Sequence, residues 1–567
     1  MTAARSPQKR PLSLYSLVEI IVKPMNRTNA LRDKFIISPH LLILLAALFM
    51  TLTANHTFFS KVLIVYPWSE NAGFLLSLGV LLFGLTTVLS FMLNWLMPIR
   101  LALSILFLVA ASAGYFTDQF GTIFDIEMIR NMLESDSAEA LDLLSWGLIL
   151  RVILTGIIPV MLVWWIPIDK HPKWAHRLTR AKRSALTLVA IFILMTVSLF
   201  SASGQYASFF RQHKILRYYA NPLHPVYSAV KFSGQQFSSA AQSAFVPMSS
   251  YAAVAETDFH QELVIVVVGE TARADHFSLN GYARQTNPLL EQEQRLVSFS
   301  NISSCGTSTA ISVPCMFSLL GRDDFVVGES KYTENVLDIV AKAGISVLWR
   351  DNNSDSKRVA DRVAYENFKT ADNNPICDPQ CRDVGMLSGL QEYIDGQQND
   401  ILIVLHQMGS HGPAYSERYP AAFEIFTPAC HTSELANCSD EEIINAYDNS
   451  ILYTDYFLSE VIALLKRNTP RYETSMLYIS DHGESLGENN IYLHGMPYMF
   501  APQEQTRVPL IAWIGESSDI DLAQTRTLKD QANSHDAVST AILQALEVHS
   551  DVLPSAAPPL LIMKEED

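Results

Sequence analysis

The chain has 567 residues, with 41 Lys+Arg against 57 Asp+Glu, a formal charge of −16 and a mean hydropathy of +0.15. The acidic balance argues against nucleic acid as a partner, because a phosphate backbone is met by basic stripes. The length is more than one ordinary domain requires. The charge is also uneven. Residues 1–203 carry 17 basic and 11 acidic side chains, leaving 24 and 46 for the remainder. A basic, apolar front and an acidic back predict a membrane anchor carrying a globular domain. The first apolar run starts too late and is too long for a cleaved signal peptide.

Five apolar stretches approach the roughly 20 residues that cross a bilayer. They lie near 36–56, 72–97, 99–117, 146–167 and 184–203, the second and third separated only by Pro98 and its neighbours. An odd number puts the two ends on opposite sides, and basic loops decide which is which. Residues 1–34 hold seven basic side chains against Glu19 and Asp33, and 168–183 hold six against Asp169 alone. Loop 118–145 is the reverse, with Arg130 its single base among seven acids. The first two are therefore expected in the cytoplasm, and everything after about residue 204 outside.

In the acidic loop Asn131, Ser135 and Glu139 fall at i, i+4 and i+8, on one face of any helix formed there. An amide, a hydroxyl and a carboxylate so aligned suit a cationic lipid headgroup; a solvated polar face is the plain alternative. Residues 204–260 mix aromatics with Arg and Lys, as interfacial helices do, and end in a Ser/Ala/Gln-rich stretch.

From about 261 apolar β-runs (264–268, 346–349, 401–405, 476–479, 508–514) alternate with helical patterns (333–344, 441–467, 534–547). This predicts an α/β domain with a mainly parallel sheet, whose ligand site lies at the carboxyl ends of its strands. Polar residues stand at four such ends: Glu270; Asn353 with Lys357 close behind; His411; and Asp481-His482, with His494 further on. Ser308-Thr309-Ala310 opens a helical segment, hydroxyls first, where unpaired N–H groups welcome a phosphate. Taken alone, Glu270 and Thr309 read equally as a loop acid and a helix cap. Four strand ends together point to a metal site, and carboxylate, imidazole and hydroxyl ligands suit catalytic zinc. The six cysteines form close pairs, Cys305/Cys315, Cys377/Cys381 and Cys430/Cys438, all in the outer part. That reads as three local disulfides. Zinc binding by the thiols is the rival, although the spacings match no zinc ribbon well.

The motifs GETARADHFSLNGY, SCGTSTAISVPCMFS, LWRDNNSDSK, HQMGSHGPAY and SDHGESLGEN…YLHGMP, in this order, resemble the phosphoethanolamine transferases that modify lipid A. These are the polymyxin-resistance enzymes of the alkaline phosphatase superfamily. The resemblance covers nearly the whole chain. It implies five transmembrane helices in 1–203, bridging helices and linker in 204–260, and an alkaline phosphatase/sulfatase-like periplasmic catalytic domain in 261–567. It makes Thr309 the nucleophile and a zinc ligand, with Glu270, Asp481 and His482 completing one tightly bound zinc. His411 and His494 fall beside the phosphate or a second zinc, and Asn353 and Lys357 at substrate. The cysteine pairs match the family's disulfides. Asn131 and Glu139 match headgroup-binding positions, with Ser135 where relatives often have threonine.

The implied reaction moves phosphoethanolamine from phosphatidylethanolamine to a lipid A phosphate through a phospho-threonine intermediate, within the bacterial inner membrane. A related transferase acting on core sugars or another glycan, or carrying phosphoglycerol, is the alternative. A sulfatase would need Cys or Ser in a C/S-x-P-x-R context, and none stands near Thr309. A non-catalytic sensor would have lost ligands, and every matched position is kept.

Overall fold

The structure, a computed structural model, describes residues 37–134, 137–168, 174–239, 244–254, 260–378, 380–469, 471–552 and 557–564. The chain divides into two compact units. One is built from Leu63–Ala111 and Val152–Ser208 with the chain up to Asn55; the other from His56–Val62, Ser112–Arg151 and Phe209–Asp567.

Among the described residues, four helices are long and apolar enough to cross a membrane: Trp68–Leu96, Ile99–Phe120, Trp146–Trp165 and Ala181–Ser201. Pro39–Thr53 and His56–Val65 meet that test only together, as a bent pair. The break between the first two long helices has a local cause. A residue before proline is pushed out of the helical region, and Met97, preceding Pro98, is extended at φ −149°, ψ 164°. Within the first unit, a Cβ added at Gly84 would lie 2.5 Å from Met195 Cγ, so the missing side chain lets two helices approach closely. Thr86, Thr87 and Ser90 donate their hydroxyl hydrogens to carbonyls four residues back. No water is then required to satisfy them.

The second unit is organised by a mixed eight-stranded sheet. Its strands are β1 (Glu262–Gly269), β2 (Leu296–Ser303), β3 (Ser346–Asp351), β4 (Ala364–Asn367), β5 (Ile401–His406), β6 (Glu473–Ser480), β7 (Arg507–Ile514) and β8 (Asn533–Ser534). Their order is β8-β2-β7-β6-β1-β5-β3-β4. β7 runs antiparallel to both β2 and β6, and the other neighbours pair in parallel. Two antiparallel steps restore direction, so the carboxyl ends of β1, β2, β3, β5 and β6 share one edge.

β1 is buried along all eight residues, as its unbroken β-branched run requires of a strand covered on both faces. Val264, Val266 and Val268 enter one apolar cluster, Leu263, Ile265 and Val267 the other. Around the sheet stand α1 (Ile126–Glu134), α2 (Thr309–Met316), α3 (Val336–Lys342), α4 (Asp440–Asn468) and α5 (Val538–Ala545). α3 and α5 supply the first cluster, α4 the second. Capping boxes begin α3 (Asn335 with Asp338) and α4 (Ser439 with Glu442), each cap worth about 1 kcal/mol.

Candidate active site

Four side chains predicted from separate motifs converge where the strand ends meet the start of α2. Glu270 follows β1, Asp481 and His482 follow β6, and Thr309 is the first residue of α2; all four are buried. The Thr309 hydroxyl donates to Glu270 Oε2 at 3.1 Å and stands 3.4 Å from His482 Nε2. His482 Nε2 lies 3.2 Å from Asp481 Oδ2 and 3.5 Å from Glu270 Oε1. Those two carboxylate oxygens are buried and have no hydrogen-bond partner among the described residues. Burial, and then the charge of Glu270, push the Asp481 carboxyl well above the usual range. Burial, and then His494, hold the His482 imidazole well below its own. Two carboxylates facing one another beside a neutral imidazole are costly without a cation and favourable with one. Ligand atoms of Glu270, Asp481 and His482 lie within 4.8 Å of one another. The residues present therefore fit a divalent metal ion.

Neighbouring loops hold these groups in place. Asn353 Nδ2 donates to Glu270 Oε2 and to the Gln407 carbonyl, both at 2.7 Å. Its own N–H donates to Asp351 Oδ1 at 2.9 Å, and Asp351 Oδ2 in turn faces His406 Nδ1 at 3.0 Å and accepts from Trp349 Nε1 at 2.8 Å. Gly409 sits at φ +53°, and a Cβ there would meet the Glu270 carbonyl at 2.8 Å and Glu270 Cβ at 3.0 Å. Replacing Gly409 with Ala is expected to cost about 1–3 kcal/mol of stability through the strained backbone, and to displace Glu270. Calorimetric unfolding with metal analysis of the variant tests both. Full metal occupancy and unchanged Tm would contradict the close approach.

His411 and His494 lie together, ring centroids 5.5 Å apart, with the His482 ring 4.4 Å from that of His494. Glu484 Oε2 stands 3.4 Å from His494 Nδ1. The two histidines close one side of a cavity of about 240 Å³, whose other walls include Asn131, Phe116, Phe124 and Met128. Asn131 is thus brought to the histidines. Ser135 and the Glu139 side chain lie outside the described residues. Lys357 is nearly covered (6 % of its side chain exposed), and its ammonium donates to the carbonyl of Glu134, the last residue of α1, at 3.2 Å. It stands against the helix that carries Asn131.

The cysteine pairs Cys305–Cys315, Cys377–Cys381 and Cys430–Cys438 are all disulfides, and no described cysteine is free. That removes thiolate zinc binding. The three bridges differ in their relation to the site. Cys305 and Cys315 are buried on either side of Thr309. Cys381 and Cys438 are only half-buried, and their bridges close short loops. The Cys381 carbonyl accepts from Asn352 Nδ2 at 3.0 Å. Cys438 donates its N–H to the Leu435 carbonyl at 3.0 Å, directly before the cap of α4.

A residue that the motifs did not single out, His535, is fully buried behind the Cys305–Cys315 turn. Burial lowers its imidazole from 6.5 to about 4. Below pH 6.5 the unfolded chain takes up a proton that the folded chain refuses. The stabilisation is complete above pH 6.5 and is lost as pH falls towards 4, up to about 3 kcal/mol. Thermal unfolding between pH 7 and 4 is expected to show this slope, and His535→Gln to lack its share. Equal slopes in both would contradict the assignment.

A buried Glu–Asp–His group at the carboxyl edge of such a sheet, with a helix-start hydroxyl touching it, defines a sulfatase-type domain. The Sulfatase family model matches residues 262–548, and the model described as phosphoethanolamine transferase EptA/EptB matches 81–237. The chain is 45% identical over 530 residues to the phosphatidylethanolamine transferase Mcr-1 of Escherichia coli, covering 91% of this chain and 96% of that protein. It is 38% identical to the phosphoethanolamine transferase EptA of E. coli K12, over 84% and 87% of the two chains. The integral membrane lipooligosaccharide phosphoethanolamine transferase A of Neisseria meningitidis superposes with a TM-score of 0.83 at 31% identity, over 89% of this chain and 95% of that one. The chain belongs to the phosphoethanolamine transferase family.

Proposed function

We propose that this protein transfers phosphoethanolamine from phosphatidylethanolamine to a phosphate of lipid A in the bacterial inner membrane. Added ammonium groups lower the negative charge of the cell surface and with it the binding of cationic peptides such as polymyxin. The observation that carries this reading is the contact of Thr309 Oγ1 with Glu270 Oε2 and its approach to His482 Nε2. It stands in a chain 45% identical to a phosphatidylethanolamine transferase along nearly its whole length.

Glu270, Thr309, Asp481 and His482 would hold one zinc ion, a donor set of the kind that catalytic zinc uses. When bound, zinc makes the alkoxide of Thr309 accessible at neutral pH and offsets charge on the phosphoryl oxygens. Thr309 Oγ1 attacks phosphorus, the bond from phosphorus to the diacylglycerol oxygen breaks, and that oxygen leaves with the proton Thr309 gave up. The chain is left with phosphoethanolamine on Thr309. An oxygen of a lipid A phosphate then attacks the same phosphorus, the bond from phosphorus to Thr309 Oγ1 breaks, and Thr309 Oγ1 takes up the proton that the acceptor phosphate gives up. His411 and His494, beside the site, hold the phosphoryl group and move the proton, or take a second zinc. Asn131, with Ser135 and Glu139, would receive the donor's ammonium headgroup, and Asn353 and Lys357 order the substrate side of the site.

Counting the bent pair as one span gives five. The chain's start and 168–183 are then cytoplasmic, and 204–260 lead to a periplasmic catalytic domain over 261–567. Mass spectrometry of lipid A from cells expressing the chain tests the function. Lipid A heavier by one phosphoethanolamine unit is expected. Unmodified lipid A with the unit on core sugars would move the acceptor and overturn this reading.

A further inference from the structure

Among the described residues His535 makes no hydrogen bond to the four ligand residues proposed above, yet it joins the two segments that bring them together. Its ring is fully buried. Nδ1 accepts the Cys305 N–H at 3.1 Å and Nε2 donates to the Ser480 carbonyl at 3.0 Å, which a neutral imidazole does in one tautomer only. Cys305 opens the turn that ends in Thr309. Ser480 is the last residue of β6, directly before Asp481 and His482. The parallel pairing of Asn533 with Ile302 and of Ser534 with Ser303 brings the histidine to that turn. The next residue extends the grip. Asp536 Oδ1 accepts the Arg322 N–H at 3.0 Å, and Arg322 Nε donates to the Cys305 carbonyl at 2.7 Å. Both backbone groups of Cys305 are thus held from outside the turn.

A buried histidine that merely satisfies two backbone groups would be an ordinary core feature. Here the other bonds of the turn do different work. Gly306 N–H to Ser312 Oγ, at 3.0 Å, fixes its shape. Thr307 Oγ1 to the Met496 carbonyl, at 2.7 Å, ties it to the segment after His494. The imidazole links the turn to the last residue of β6. The geometry points to His535, seconded by Arg322, as a positioning residue of the transfer reaction, setting the placement of Thr309 against Asp481 and His482. This rests on Thr309 being the nucleophile.

Asparagine can place Oδ1 where the ring accepts, and glutamine can place Nε2 where it donates. His535→Asn therefore keeps the link to Cys305 and cuts that to Ser480; His535→Gln does the opposite. The full chain, in vesicles containing fluorescent phosphatidylethanolamine and lipid A, is assayed for kcat, donor KM and bound zinc. Each variant is expected to lower kcat about tenfold or more, as a misplaced reacting group does, with KM within about twofold and zinc unchanged. A loss of Tm with kcat per folded molecule intact would show a merely structural role and overturn the inference. If neither histidine variant folds, Arg322→Lys, at a partly exposed residue, cuts the bond to the Cys305 carbonyl. Lowered kcat then supports the inference and unchanged kcat overturns it. A parent chain that transfers nothing would instead overturn the proposed function, and the inference with it.

Discussion

Thr309→Ala is expected to abolish phosphoethanolamine transfer, lowering kcat by about ten-thousand-fold or more, as loss of a covalent nucleophile does in enzymes whose catalytic groups act as a unit. The fold should hardly notice. The lost hydroxyl has its contacts with Glu270 and His482, and the methyl that remains still fits a buried helix start. Thr309→Ser keeps an oxygen on the same carbon and is expected to retain measurable transfer, reduced because the added rotamer freedom loosens its aim. Transfer assays with Tm measured alongside separate the two effects. Residual activity in the alanine variant equal to that of serine would mean that another group attacks phosphorus.

Glu270→Gln and Asp481→Asn are expected to remove metal and activity together, while leaving the metal-free protein as stable as the parent or more so. This sign follows from the site itself. Glu270 Oε1 and Asp481 Oδ2 are buried without hydrogen-bond partners among the described residues. The Asp481 carboxyl is pushed upward by burial and by Glu270. Neutralising one carboxylate relieves the metal-free state, and in the same stroke takes away a ligand charge. The parent should gain about 4 kcal/mol of stability in zinc at a thousand times its Kd, and either variant should gain far less. Calorimetry with and without zinc reads the difference. An equal gain in parent and variants would place the metal elsewhere.

Much of this site could be read along the chain because its residues follow recognisable strands. The run 264–268 is β-branched without interruption, so its end and Glu270 were legible. The runs before His411 (ILIVL) and Asp481 (MLYI) are apolar without interruption, and their ends were legible too. β2 was not. Its sequence LVSFSNIS alternates only loosely, and its burial is correspondingly partial, yet it delivers the chain to Cys305. The helix expected over 333–344 is shorter, because Asn335 caps it and Gly344 turns away at φ +92°. His535 stood inside a helical pattern expected from 534. It proves to lie in a turn before α5, and neither of its bonds is local, so no periodicity could announce them. Asn131 was legible as a face of a helix. That this face lines a cavity with His411 and His494 depends on packing of 112–151 with 209–567 in one unit, which sequence spacing does not encode.

The most direct measurement is peptide mass spectrometry of the purified chain after incubation with phosphatidylethanolamine and no acceptor. A phosphoethanolamine unit on the peptide containing Thr309, cleared when lipid A is added, is the predicted result. Transfer to lipid A with no adduct on Thr309 at any time, in a protein trapped during turnover, would contradict the covalent route on which the account rests.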